Sequence, residues 1–425
     1  MANKKSPWYW IPSLYFGQGI PYVVVATTVS AILYKQLGLS NADITLYTGW
    51  LYLPWVIKPF WSPFVDMFKT KRWWTVTMQF IMGVALAGVA FCIPAPYFLQ
   101  STLAIFWLLA FSSATHDIAA DGFYMLALDS HQQSFFVGIR STFYRIALVM
   151  GQGALVMVAG RLEKLMPSIA QAWSYTFYGV AVLFVLIAVY HYFVLPRPAV
   201  DQPNPNKNIA LGFFSTFGDF FKKRGIILAL SFILLYRLAE AQLIKIAPLF
   251  LLSDRAEGGL GMETESVGFV YGTVGIIALT LGGISGGIVA SRDGLKKWLW
   301  PMVLALNVTN LIYVYFAYAQ PQNFFAICSG VAVEQFGYGF GFTAFMLYLI
   351  YISRGKLQTA HYAICTGFMA LGMMVPGMFA GKIQEFIGYQ HFFLWVCLCT
   401  IPGFILVALL KIDPTFGKKS ESKTN

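Results

Sequence analysis

Asp117 and Asp121 stand four residues apart in SSATHDIAADGFYM (112–125), inside an otherwise apolar run. That spacing places both carboxylates on one face of a helix, and an ionised carboxylate in hydrocarbon is costly unless a partner or a wet cavity receives it. Arg140 and Arg145 follow in the next apolar run, with the turn of a helical hairpin expected near Ser130. Asp121 and Arg140 are almost equally far from that turn, as are Asp117 and Arg145. At about 1.5 Å of rise per residue, equal distance from the turn means equal depth. The pairs Asp121 with Arg140 and Asp117 with Arg145 are therefore expected. Such a set can exchange protons through its carboxylates and attract an anionic solute through its guanidinium groups. The plain alternative is an ion-pair lock between two helices, but buried pairs often stabilise no better than apolar packing.

The other half of the chain carries a comparable set. LLYRLAEAQLIKIAP places Arg237 and Glu240 at i, i+3 and Lys245 a little over one turn beyond Glu240, so Glu240 is expected to be paired locally. Glu334, in AVEQFGYGFGFTAF, has no basic neighbour within its own run. It reads either as a proton carrier or as a protonated acid that fixes helix packing. The expected proton-coupling residues are Asp117, Asp121, Glu240 and Glu334, and the expected anion-attracting residues are Arg145, Arg237 and Lys245. Tyr15, Gln18, Tyr124, Gln152, Tyr236, Gln242, Gln335 and Tyr338 offer hydrogen bonds of the kind that recognise sugar or amide groups. His116 has no partners in the sequence that would make a metal site, and neither a metal nor a cofactor is expected.

These residues need helices that cross a bilayer. Of 425 residues, 58% are hydrophobic and 11% charged, with a mean hydropathy of +0.65, far from the roughly one-quarter charged of a soluble domain. The sequence is that of an integral membrane protein. Runs long enough to cross about 30 Å of hydrocarbon lie at 10–34, 43–65, 73–93, 101–127, 133–160 and 172–194. Six more lie at 226–252, 265–290, 298–318, 322–352, 358–381 and 390–410. The expected fold is therefore all-α, with twelve transmembrane helices. The net charge of +11 is not a nucleic-acid signal, because it has no soluble face to cluster on. Nineteen Lys and Arg fall in the two tails and the loops of one side, against five in the loops of the other, which places both termini in the cytoplasm. The start of the chain is too long and too interrupted, by GQGIP, to be expected as a cleaved leader. The five cysteines lie within spans at no paired spacing, so neither disulfides nor a metal are indicated.

Residues 195–224, opening with prolines and closing with KKR, divide the chain into a six-helix half at 1–194, a cytoplasmic linker, and a six-helix half with a short tail at 225–425. The halves echo each other. DMFKTKRWW begins at Asp66 and DGLKKWLW at Asp293, while FYMLAL begins at Phe123 and AFMLYL at Ala344. Two six-helix halves that rock about a midplane site describe a secondary transporter.

The short acidic and basic loop at Asp66 resembles the conserved loop of the major facilitator superfamily. Five blocks sharpen the likeness: KPFWSPFVD, SSATHDIAAD, FYRIALVMGQG, LLYRLAEA and EQFGYGFGFTAF. They resemble the branch of that superfamily that contains the AmpG muropeptide permease and the acetyl-coenzyme A transporters. The resemblance implies two pseudo-symmetric halves and an inner-membrane, proton-driven importer of anhydro-muropeptides from cell-wall turnover. It places Lys58, Asp66, Asp117, Asp121, Arg145, Arg237, Glu240 and Glu334 in the family's polar set. A gating role is expected for Lys58, Asp66, Lys69, Arg72, Arg140 and Asp293, with plain charge anchoring as the alternative for the loop residues. This chain lacks the two additional spans of many such proteins and has His361 where they commonly have glutamine.

The expected function is proton-coupled symport into a bacterial cytoplasm of a sugar-peptide or other bulky polar solute. The cavity is expected between spans 1, 4, 5, 7, 10 and 11. The partners are that solute, protons and membrane lipids, with no nucleic acid, and the protein is expected to be a monomer and not an enzyme. A siderophore, acyl-coenzyme A or drug transporter on the same scaffold is the alternative. A membrane enzyme on lipid-linked glycans, with the carboxylates as acid and base, is the reading from another class.

Overall fold

A computed structural model describes residues 6–26, 28–128, 130–203, 217–354 and 358–416. The side chains of Asp66 and of several residues early in the fifth helix, among others, also lie outside the description. Among the described residues the secondary structure is helical throughout, with no strand. Among the described residues nine helices are long and apolar enough to cross a membrane, and Pro7–Ala26 with Thr28–Gln36 makes a bent tenth. Two further passes follow from the geometry. The span His361–Leu409 holds 49 residues, too many for one crossing, and it turns at Gly388. Asn41–Trp50 and Leu53–Met67 form the remaining rod in two pieces.

We label the rods in chain order: α1 (Ile11–Ala26 and Thr28–Gln36), α2 (Asn41–Trp50 and Leu53–Met67), α3 (Lys71–Cys92), α4 (Phe98–Ala127), α5 (Ser130–Val149, a π-turn Met150–Leu155, and Val156–Leu165) and α6 (Ile169–Val194). Then follow α7 (Ile226–Leu235 and Leu238–Leu252), α8 (Thr264–Asp293), α9 (Leu295–Val308 and Leu311–Ala319), α10 (Phe324–Ser353), α11 (Gln358 to the Gly388 turn) and α12 (from that turn through Ile401–Leu409). Spans 2, 7 and 9 were expected to be continuous, but each is broken in its interior. The chain divides into two compact units, Met1–Phe213 with Glu263–Gly272, and Phe214–Met262 with Thr273–Asn425.

Polar residues mark where the rods begin. Ser40, Thr70, Ser168 and Asn323 each accept a hydrogen bond from a first-turn N–H of α2, α3, α6 and α10, which satisfies donors that hydrocarbon would leave bare. At α3 the linker contributes as well. Asp201, almost fully buried, takes the N–H of Lys71 at 2.7 Å and of Arg72 at 3.0 Å on its two oxygens, so a carboxylate also meets the positive end of the helix dipole. Residues 195–203, the start of the expected linker, thus lie against the first unit.

In the first unit a chain of buried polar groups joins four rods. Ser13 of α1 meets His191 of α6 at 2.8 Å, His191 Nδ1 meets Gln79 Oε1 of α3 at 2.8 Å, and Gln79 Nε2 meets His116 of α4 at 2.9 Å. Gln79 donates through its amide nitrogen and accepts through its oxygen, so the chain has one polarity when both rings are neutral. His116 is thereby a packing residue.

In the second unit the close approach of α8 and α10 is set by glycine. A Cβ on Gly339 would lie 1.9 Å from the Leu279 carbonyl oxygen, and one on Gly282 would lie 2.1 Å from that of Phe336. Around them a core of Phe232, Tyr236, Met302, Phe345 and Leu349 closes the bundle. Gly388 has a different reason to be glycine. Open space surrounds it, but its φ of 74° is one that other residues adopt only with strain. Phe91, Ile227, Phe325 and Phe386 stand 74–89% exposed, as side chains facing acyl chains do.

Two predictions follow from these contacts. Gln79→Leu strips both histidines of a partner and should cost about 1–3 kcal/mol, read as a lower melting temperature in detergent, where Gln79→Glu should recover part of the loss. Gly339→Val should lower the melting temperature far more than Gly287→Val, since a Cβ on Gly287 meets nothing within 4 Å.

Candidate functional site

The first unit gathers its charges on α2, α4 and α5. Asp121 accepts a hydrogen bond from Tyr15 at 3.1 Å and pairs with Arg140 at 3.2 Å. The guanidinium lies 4.5 Å from the centre of the Tyr15 ring and 5.0 Å from that of Tyr124, so two aromatic faces and one carboxylate share the cation. Arg140 and Tyr124 are thus parts of one box with Asp121. The expected depth match across the α4–α5 hairpin holds for this pair.

The deeper pair is different. Asp117 Oδ2 lies 3.8 Å from Lys58 Nζ and accepts from Trp55 Nε1 at 3.2 Å, with Gln18 of α1 beside it. No ion pair joins it to Arg145 among the described residues. Depth along a hairpin sets height but not azimuth, and it ignores a third helix. Here α2 packs on α4 and presents Trp55 and Lys58, one turn apart, to the same carboxylate. Lys58, expected at a gate, is therefore the cation beside Asp117.

Gln152 lies in the π-turn of α5, largely buried, where its Oε1 accepts from Thr28 of α1 at 3.2 Å. Its carbonyl joins two helices.

In the second unit Arg237 does not pair with Glu240. It occupies the break in α7, at φ −107° and ψ 20°, and this non-helical backbone removes the i, i+3 geometry that a continuous helix would give. Its guanidinium instead meets an aromatic face of α10, with ring centres at 4.7 Å for Phe342, 5.3 Å for Tyr338 and 5.9 Å for Phe345. It also donates a hydrogen bond to the Tyr338 hydroxyl. Lys245 does not pair with Glu240 either: five residues along a helix are about 140° around it.

Glu240 is 2% exposed and Glu334 1% exposed. Among the described residues neither Glu240 oxygen has a hydrogen-bond partner, while Glu334 accepts on one oxygen only, from Gln335 at 3.0 Å. The two carboxylates are close enough to act on each other electrostatically. An unpartnered buried carboxylate is expensive when ionised.

Two residues expected to meet substrate are packing residues. Tyr236 is 2% exposed, donates to the Gly341 carbonyl at 3.1 Å and stacks on Phe345. Gln242 donates to the Leu238 carbonyl and to Cys399, and its oxygen accepts from Trp395 at 2.9 Å, so α12 uses it fully. Both are turned into the bundle core.

Of the expected gate residues, Asp293 sits in a local cluster at the α8–α9 turn, with Arg292 at 3.1 Å, Lys297 at 3.5 Å and Trp298 Nε1 at 2.9 Å. Arg72 donates to the Leu195 carbonyl at 3.2 Å and to the Tyr192 carbonyl, capping the end of α6. Lys69 has a φ of 61° in the loop before α3. The side chain of Asp66 lies outside the described residues. Trp55 and Phe342, which hold the charges, were not among the expected site residues. A pointer to them was the aromatic residue within one turn or opposite each buried charge.

The pattern of the Major Facilitator Superfamily matches residues 13–354. The chain belongs to that superfamily. An AmpG-named relative from Rickettsia conorii is 27% identical over 92% of this chain and 93% of its own length. The anhydromuropeptide permease of Escherichia coli is 24% identical over 93% of this chain and 78% of its own. A mutant form of the nucleoside transporter NupG superposes with a TM-score of 0.73 at 16% identity, covering 94% of this chain and 99% of that one. A D-xylose–proton symporter superposes at 0.72 with 12% identity, covering 96% and 97%. These structures establish the fold, which is the twelve-helix facilitator fold. The protein is a multi-pass membrane transporter.

The two acid pairs of the first unit differ in exposure, and that difference is measurable. The Asp117 side chain is 13% exposed and that of Asp121 42%. Lys58→Met leaves a largely desolvated carboxylate and should lower the melting temperature clearly more than Arg140→Met. Adding Asp117→Asn to the first variant should restore most of the loss, giving a coupling energy in a double-mutant cycle.

Proposed function

We propose that this facilitator is a proton-coupled symporter of the bacterial cytoplasmic membrane, with both termini in the cytoplasm. Its cargo is a bulky polar anion of the anhydro-muropeptide class, and it works as a monomer. The observation that carries the coupling is the pair of buried carboxylates, Glu240 and Glu334, neither of which makes an ion pair among the described residues. Such groups lose a proton only when water or a cation reaches them, so protonation is tied to the conformation of the carrier. Asp117 and Asp121 each have a cation beside them. They serve as the second set of proton-responsive groups, shifting as Lys58 and Arg140 move.

The cargo side rests on the cations. Arg237 is buried against aromatic rings with no carboxylate within 4 Å among the described residues, a setting that favours a carboxylate brought by a solute. Arg145 and Lys245 supply further positive charge, while Gln18, Gln335 and the Tyr338 hydroxyl offer groups for sugar or amide contacts. The muropeptide class is favoured by likeness along 93% of this chain to a protein named anhydromuropeptide permease.

The test is uptake of a labelled anhydro-muropeptide into proteoliposomes under an imposed pH gradient. Glu240→Gln with Glu334→Gln should lower gradient-driven uptake at least tenfold while solute exchange without a gradient persists. Arg237→Gln should lower both. Gradient-independent uptake by the unmodified protein would remove the coupling. Binding of a metal chelate, an acyl-coenzyme A or a drug in place of the muropeptide would replace the cargo.

A further inference from the structure

On the outside of the first unit, α3 and α6 leave an open groove of about 430 Å³ whose walls include Val76, Phe80, Ala188, Val189 and Phe193. Apart from Thr77 and the Tyr192 hydroxyl, the lining side chains are hydrocarbon. The groove runs away from Arg72, which lies one turn before Val76 and about 12 Å before Phe80 at helical rise. The Arg72 guanidinium stands at its mouth, 5.7 Å from the centre of the Tyr192 ring. It is fixed there by bonds to the carbonyls of Leu195 and Tyr192, which engage two of its five N–H groups.

A second arginine lies near Arg72. Arg197 is exposed and lies two residues beyond Leu195, close enough for the two cations to act on each other. The nearby acid, Asp201, spends both oxygens on the N–H groups of Lys71 and Arg72. This end of the unit is also the one that the basic loops mark as cytoplasmic.

We propose that this groove is a binding site for an anionic glycerophospholipid, with an acyl chain lying between α3 and α6 and the phosphodiester held by Arg72 and Arg197. A zwitterionic headgroup would bring its own ammonium close to two guanidinium groups, so the site prefers a net negative lipid. Hydrocarbon walls alone would hold any acyl chain. The two cations at a fixed point on the wall confer the preference. This inference needs only that the chain spans a membrane and does not depend on the cargo or its coupling.

The test is native mass spectrometry of the full-length protein in detergent, titrated with phosphatidylglycerol or with phosphatidylcholine of the same acyl chains. The unmodified protein should retain phosphatidylglycerol at least fivefold more strongly. Arg197→Gln, which leaves the cap on α6 intact, should lower that preference, and Arg72→Gln with Arg197→Gln should abolish it without altering retention of phosphatidylcholine. Val189→Trp, which fills the groove, should weaken both lipids. Equal retention of the two lipids by the unmodified protein, or a preference that survives Arg197→Gln and Val189→Trp, would overturn the proposal.

Discussion

Hydrocarbon offers no partner to a polar group, and each unit of this transporter is arranged around that fact. Wherever a charge or an amide enters a span, a second helix or an aromatic ring is brought to it. Asp121 is met by Arg140 and Tyr15, Asp117 by Lys58 and Trp55, and the neutral chain from Ser13 to His116 links four rods. The rods are held in register as much by these contacts as by apolar side chains, because every groove wall would pack nearly as well against lipid.

The same need explains the ends of the helices. Arg72 caps the last carbonyls of α6, Lys223 donates to the carbonyls of Ile352 and Arg354 at the end of α10 at 2.7 and 3.1 Å, and Asp201 caps the start of α3. Basic residues that count toward topology therefore also finish helices. The exceptions are what gives the second unit its interest. Among the described residues Glu240 and Glu334 are buried without an ion pair, and Arg237 is held by rings. A protein keeps such groups at a cost, and the proposed proton coupling would give that cost a use.

Much of this was legible in the residues themselves. The twelve passes follow from hydropathy and length, and the hairpin arithmetic places Asp121 beside Arg140 because both lie near a tight turn where depth nearly determines contact. The deeper estimate for Asp117 failed for lack of azimuth: a third helix, α2, reached the carboxylate first. Arg237 failed for another reason. A break in α7 moved its side chain out of helical phase, and nothing in LLYRLAEA announces the break, since no glycine or proline stands there. Tyr236 and Gln242, expected as recognition groups, are core contacts because α10 and α12 present Gly341 and Trp395 to them.

What the sequence by itself determined is the membrane class, the pass count, the side on which basic loops gather and which side chains carry charge within hydrocarbon, because these depend on composition and spacing along one chain. Only the tertiary structure decided which charges are paired and which are left unpaired, since pairing depends on the rotation of each helix about its own axis and on what a neighbouring helix presents. Those are sums over contacts between residues far apart in the chain, and no periodicity within a single span contains them.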